Sequence, residues 1–237
     1  MIDMNTMSYH ILGRHNLIRD DLSLRNEAFT AWKEVWESVY NKSDSNYALK
    51  ADEFERQDLI TCIKIGERIA ALHLYSFHHL ESLACRSTHY FDFFTENYFK
   101  VLESNGVKTA MSMEFLTVHP DFRKSNVGFP LGSTLGQLGA LIWQQANVDA
   151  IIAPARNDLK VNEAAYDQGF RCIEKETNQR GFICDLIALF RGEQKSSSDP
   201  LIRQATTTLW ERKKIYASAA AYLPQTSPQV LQPRKAA

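Results

Sequence analysis

Met113-Glu-Phe-Leu-Thr-Val-His-Pro-Asp-Phe-Arg-Lys-Ser-Asn-Val-Gly-Phe-Pro-Leu-Gly132 is the stretch on which the fold turns. Apolar, β-prone residues from Met111 to Val118 predict a strand. His119 to Phe129 is a short cationic turn segment holding Pro120, Arg123, Lys124, Asn126 and Gly128. From Pro130 the spacing becomes helical, with Leu131, Leu135, Leu138 and Ile142 at three- and four-residue steps. A strand feeding a basic turn and then a helix start is suited to holding phosphate. The first N–H groups of a helix have no internal partner and carry partial positive charge, and proline is at home in the first helical positions. An ordinary strand–loop–helix joint with a solvated Arg-Lys pair has the same composition, and both readings stay open on this segment alone.

Upstream, Ser8 to Leu12 predicts a short first strand or an ordered arm. From Asp21 the pattern is helical, with Leu22, Leu24, Phe29, Trp32, Val35, Trp36 and Val39 largely on one stripe. These aromatics either pack the helix on a sheet or line a pocket for an apolar substrate. Asn41 to Asn46 is a polar break. Leu59 to Lys64 and Arg68 to Phe77 predict a hairpin with Gly66 in the turn. Phe91 to Leu102 reads as a second aromatic-rich helix, ended by Asn105-Gly106.

Downstream, Gly132, Gly136, Gly139 and Ala140 give the central helix a small-residue surface, so either the sheet or a ligand comes close. Val148 to Pro154 is a short buried strand, followed by Ala155-Arg-Asn-Asp158, a helix over Leu159 to Gln168, and a closing hairpin of Arg171 to Glu176 with Phe182 to Phe190. Gly192 to Asp199 has the composition of a linker. Asp199-Pro200 starts a terminal helix to about Leu223, whose apolar stripe packs on its own domain or on a second copy. The Pro- and Gln-rich end is expected to be disordered.

The segment Val118, Pro120, Arg123, Asn126, Gly128 resembles the acyl-CoA-binding motif of the GCN5-related N-acetyltransferase (GNAT) superfamily, Val-x-Pro-x-x-Arg-x-x-Gly-x-Gly. Asn126 replaces the first glycine, and asparagine is the residue that most readily takes its place where φ is positive. Tyr166-Asp-Gln-Gly169-Phe170 is a second point of resemblance, although in the family the tyrosine stands one residue earlier, where this chain has Ala165. One residue turns a side chain about 100° round a helix. The resemblance implies an α/β fold, a GNAT-like mixed, centrally splayed β-sheet flanked by helices with an extra C-terminal helix, over approximately Tyr9 to Arg191. The expected organisation is an acyltransferase domain over 1–192, a linker over 193–199, the C-terminal helix over 200–223 and a disordered tail over 224–237.

The activity implied is N-acyl transfer from a thioester, acyl-CoA or acyl carrier protein, to a small-molecule amine by direct attack. The resemblance assigns the CoA pyrophosphate to Arg123, Lys124, Ser125, Asn126, Val127, Gly128 and Phe129, the thioester region to Leu116, Thr117 and Val118, and a further cofactor contact to Asn157. Glu114, the sole carboxylate of its strand, is the expected general base, against a glutamate facing solvent at a sheet rim. Tyr166 is the expected general acid, against a packing tyrosine. A narrower likeness, to acyl-homoserine lactone synthases and long-chain N-acyl amino acid synthases, places Arg25, Phe29 and Trp36 at the substrate site. Lactone synthases follow their strand glutamate closely with Ser-Arg, whereas Glu114 is followed by Phe-Leu-Thr. A non-catalytic acyl-CoA-binding module is the competing class.

The composition agrees with such an enzyme. A net charge of −1 over 237 residues, with no face-sized basic run, argues against nucleic acid as partner. Cys62, Cys85, Cys172 and Cys184 have no metal spacing, and His73, His78, His79 and His89 lack helical pairing, so no metal is expected. No signal peptide or membrane span is expected, which places the chain in the cytoplasm. The C-terminal helix offers a surface for a homodimer.

Overall fold

The computed structural model describes residues 3–15, 17–43 and 47–223. The chain opens with β1 (Met7–Gly13) and the long helix α1 (Arg19–Asn41). One turn of helix, α2 (Asp52–Glu55), leads into the hairpin β2 (Leu59–Ile65) and β3 (Arg68–His79). After the short α3 (Leu83–Arg86) and α4 (Glu96–Ser104), the central strand β4 (Thr109–Val118) passes through the one-turn α5 (Lys124–Val127) into α6 (Leu131–Ala146). Then come β5 (Ala150–Arg156), α7 (Val161–Asp167), the hairpin β6 (Arg171–Gln179) and β7 (Phe182–Phe190), α8 (Pro200–Glu211) and β8 (Lys214–Ile215).

The strands form one mixed sheet in the order β6-β7-β5-β4-β3-β2-β1-β8. Pairing is antiparallel except at β4–β5 and β1–β8. One face is covered by α6 and α8, where Leu135, Leu138, Ile142, Trp143, Ala205 and Leu209 meet Tyr9, Ile11, Met111, Ile151 and Leu189. The other face carries two separate clusters. Leu24, Ala28, Trp32 and Phe54 pack on β2 and β3, and Tyr90, Phe91, Phe94, Tyr98 and Phe99 pack on β4, β5 and β7. Most of the early aromatic load is therefore core.

Two elements differ from their sequence expectation. The second aromatic helix begins at Glu96, not Phe91, because the Thr95 hydroxyl caps it by accepting from Tyr98 N–H. Phe91, Phe93 and Phe94 precede it and fill the cluster from a loop. The terminal helix stops at Glu211. Lys214 and Ile215 then pair parallel with His10 and Ile11, Tyr216 N–H donates to Ile11 O at 3.0 Å, and the Ser218 Oγ accepts from Gly13 N–H. This return covers β1, which would otherwise present an unpaired edge. The apolar stripe of α8 packs on α6 and the sheet of its own chain, with Ala205 and Leu209 in the core. Gly192 to Asp199 is not a free tether either: Lys195 N–H donates to Gln168 O, and Lys195 O accepts from Gln137. The tail 224–237 and residues 44–46 of the polar break lie outside the described residues.

Candidate active site

β4 and β5 pair at only three positions, Ala110 with Ala150, Met111 with Ile151 and Ser112 with Ile152. Beyond Ser112 they diverge, so the β5-facing edge of β4 from Met113 to Val118 has no partner strand. A bulge in β4 accompanies the split: Leu74 faces Glu114 while Leu72 faces Thr117. Phe115 sits at φ 52°, an unusual conformation for a bulky residue. Its neighbours hold it there. The Phe115 ring packs edge-on against Trp32 and Trp36, and the Thr117 hydroxyl donates to Phe115 O while accepting from Trp36 Nε1 at 2.9 Å. A cavity of about 810 Å³ opens at this wedge.

The predicted phosphate loop is placed differently from its sequence reading. Asn126 has no positive φ; it lies inside α5, and its side chain donates to Pro120 O at 2.9 Å. Only Gly128, at φ 69°, takes the left-handed conformation. The N–H groups of Asn126, Val127 and Gly128 are spent on Arg123 O and Lys124 O within the turn. The donors left without a partner among the described residues include the N–H groups of Gly132 and Ser133, in the first turn of α6. Both residues line the cavity with Arg123. A Cβ built on Gly132 would meet nothing closer than 3.7 Å, so this glycine leaves space rather than yielding it to the sheet. Of the cofactor residues read from sequence, Leu116, Val118 and Arg123 line the cavity; Thr117 and Lys124 to Phe129 do not.

Glu114 reaches the cavity wall yet is only 6 % exposed. It is not a solvent-facing rim residue. Its Oε1 accepts from Ser112 Oγ at 2.7 Å and from Arg56 Nη1 at 3.1 Å, and Arg56 Nη2 contacts Oε2. Arg56 also pairs with Glu53 at 3.0 Å, and Glu53 with Arg180 at 2.7 Å, His89 at 3.5 Å and the Tyr47 hydroxyl. Burial pushes the Glu53 carboxyl up, but Tyr47, Arg180 and Arg56 together hold it below its ordinary range. The result is an alternating charge network at one end of the cleft, with Arg180 and Glu114 exposed to its interior.

Tyr166 points elsewhere. Its hydroxyl donates to Asp185 Oδ2, and Ala165, the preceding residue, faces the cavity instead. Burial and the Asp185 bond raise the phenol's pKa. Asp185 also accepts from Asn162, Glu176 N–H and Asn157 Nδ2; burial opposes these bonds, yet the carboxyl is held down to about 2. Asn157 is thereby committed to Asp185 and does not line the cavity. Among the three substrate residues read from sequence, Trp36 lines it. Arg25 pairs with Glu55 at 3.1 Å and lies over Phe54, and Phe29 packs on Trp32 and Phe54; neither lines the cavity. The sequence reading missed Arg180, Tyr40, Phe182, Tyr90 and His73, which the fold brings to the cavity from five different elements and loops. They share no local sequence signal.

This architecture, a mixed sheet split after the central parallel pair with a bulged β4 and a helix start at its end, is the GNAT fold. No family model matches the sequence, and no curated protein matches it. Solved structures do match. A CoA-dependent acyl-homoserine lactone synthase, BjaI, superposes with TM-score 0.54 at 10 % identity, over 91 % of this chain and 97 % of that one. FeeM, an N-acyl amino acid synthase from uncultured soil microbes, gives 0.53 at 12 %, over 79 % and 93 %. An agmatine N-acetyltransferase gives 0.53 at 10 %, over 78 % and 99 %. At such identities the likeness is one of fold. The resemblance read from the Val118–Gly128 motif and the mixed-sheet expectation both agree with it.

Proposed function

We propose that this chain is an N-acyltransferase that moves an acyl group from an acyl-CoA-type thioester to a small-molecule amine by direct attack. The observation that carries the reading is the wedge between β4 and β5, with a cavity at its mouth and unpaired helix-start amides at its end. An extended pantetheine arm fits beside β4 as a missing strand would, hydrogen-bonding the free backbone edge. Gly132 and Ser133 N–H groups, with Arg123, are suited to the diphosphate. Those residues fit the co-substrate, whose thioester supplies the activated acyl group.

The protein's remaining tasks are positioning, polarisation and proton removal. Backbone N–H groups at the bulge polarise the thioester carbonyl. The amine enters on the side of Trp36, Tyr40, Phe182 and Arg180, and Glu114 takes its proton. Arg56 does not prevent this, because it retains Glu53 when Glu114 is neutral. Tyr166 has no part in the step, so the departing thiolate is protonated from solvent. The structural likeness to FeeM and BjaI supports an acceptor that is a small amine, and the apolar wall of Met113, Ala153, Ala155 and Ile187 supports acyl groups longer than acetyl.

Free-thiol release from acetyl-CoA and longer acyl-CoAs, measured against an amine panel with mass detection of the N-acyl product, tests the proposal. Amine-dependent release with matching product is expected. Binding of acyl-CoA without release across the panel would instead favour a non-catalytic binding module.

A further inference from the structure

Behind Glu114 runs a line of buried polar side chains that leads away from the cavity, and the inference drawn from it rests on the acyl-transfer reading above. Ser112 Oγ lies 2.7 Å from Glu114 Oε1 and 3.0 Å from His78 Nε2, and His78 Nδ1 lies 3.8 Å from Cys85 Sγ. Glu114 opens on the cavity at one end. At the other, Cys85 is half-buried on α3, whose neighbouring Leu83 is 80 % exposed. The chain therefore connects cleft to surface across the sheet's helical layer. We propose that Ser112 and His78 carry the amine's proton from Glu114 out to solvent beside Cys85.

Donor directions make the route consistent. A carboxylate only accepts, so Ser112 donates to Glu114, His78 Nε2–H donates to Ser112, and Nδ1 accepts the Cys85 S–H. That is the arrangement left after a proton has departed. Before it, the ring carries its proton on Nδ1 and the Ser112 hydroxyl points at Nε2. When the attacking amine gives its proton to Glu114, Glu114 passes one to Ser112 Oγ, Ser112 passes its own to Nε2, and the Nδ1 proton goes to water at the Cys85 end. Rotation of the hydroxyl and tautomer exchange of the ring then reset the chain. No covalent bond to carbon changes, and water is the only co-reactant.

One other role for the pair fails on geometry. Ser112 is fully buried and does not line the cavity, so a Ser–His nucleophile cannot meet a thioester. The ring is held by Tyr90, stacked at 5.1 Å, and by Phe91 against its edge, and the isotope effect below separates a relay from a structural hydrogen bond. The charged groups facing His78 are Glu114 and Arg56, with Cys85 and Tyr90 the remaining titratable neighbours. Burial lowers its pKa to about 4, opposed by Glu114 and reinforced by Arg56, so the ring is neutral at pH 7 and free to accept.

The test compares wild type, His78→Gln and Ser112→Ala in steady-state acyl transfer with saturating acyl-CoA. Glutamine keeps an amide donor for Ser112 but cannot pass a proton. Ser112→Ala leaves the ring in place and breaks the link. Expected are a kcat lower by about tenfold or more in both variants, a KM for acyl-CoA within about twofold of wild type, and an altered solvent isotope effect on kcat. Wild-type turnover with unchanged kcat and isotope effect in both variants would overturn the relay alone. Absence of any wild-type turnover would overturn the relay together with the acyl-transfer reading.

Discussion

Glu114 shows how much a side chain's partners decide about its chemistry. As the sole carboxylate of an apolar strand it was conspicuous in the sequence, but Arg56, which pairs with it from 58 residues away, was not. Nothing in local spacing links the two until β3 and β4 align. Glu114→Gln is expected to lower kcat by about a hundredfold while acyl-CoA affinity, read by calorimetry, stays within about twofold. An unchanged pH–rate profile in that variant would exclude Glu114 as the base. Tyr166, the expected general acid, instead donates to Asp185, in keeping with its one-residue offset from the family position. Tyr166→Phe should therefore cost stability rather than turnover. Loss of about 1 kcal/mol is expected on removing one hydrogen bond, measured by urea unfolding, and a loss of kcat larger than tenfold with intact stability would contradict the assignment.

Among the elements, α6 separates two uses of glycine that look alike in sequence. A Cβ on Gly139 would lie 2.4 Å from Met113 Cε and 2.9 Å from the Tyr75 hydroxyl, whereas one on Gly132 meets Val118 at 3.7 Å. Gly139→Ala should destabilise by about 1–3 kcal/mol through overpacking, despite the helix propensity gained. Gly132→Ala should leave the melting temperature unchanged or higher yet weaken CoA binding, because the methyl enters the space beside the free amides. Equal effects of the two substitutions on both readouts would show that the helix start is not the diphosphate site. The strand–turn–helix order was readable from periodicity. The bulge was not, since Phe115 at positive φ has no residue signature and is held by Trp36 and Thr117 from outside the strand. Nor was it readable that the N–H groups of Asn126, Val127 and Gly128 close their own turn while those of Gly132 and Ser133 stay free among the described residues.

At the scale of the whole molecule, the C-terminal return is the part that sequence reading could not reach. Helical spacing ran on through Ile215 and Tyr216, but the unpaired edge of β1 offers these residues backbone hydrogen bonds that a longer helix would forgo. Truncation after Glu211 should expose that edge and promote self-association, visible by light scattering; a monomeric, equally stable truncation would contradict it. Three buried histidines add a pH signature. Burial lowers His10 to about 4, His73 to about 3 and His78 to about 4. Each is depressed below its unfolded value, so the unfolded chain binds the extra protons as pH falls. Stability is complete above about pH 6.5 and declines from there toward pH 4, by up to about 1.4 kcal/mol per pH unit for each histidine. Urea midpoints that stay flat between pH 6.5 and 4.5 would contradict this.

If the gap between β4 and β5 receives an acyl-CoA, a crystal structure of the protein with CoA will show it. Expected are the pantetheine arm between Met113–Val118 and Ala153–Arg156, the diphosphate on the Gly132 and Ser133 amides, and the sulfur turned toward Glu114. CoA bound on another surface, with the gap empty or closed by pairing of the two strands, would contradict it.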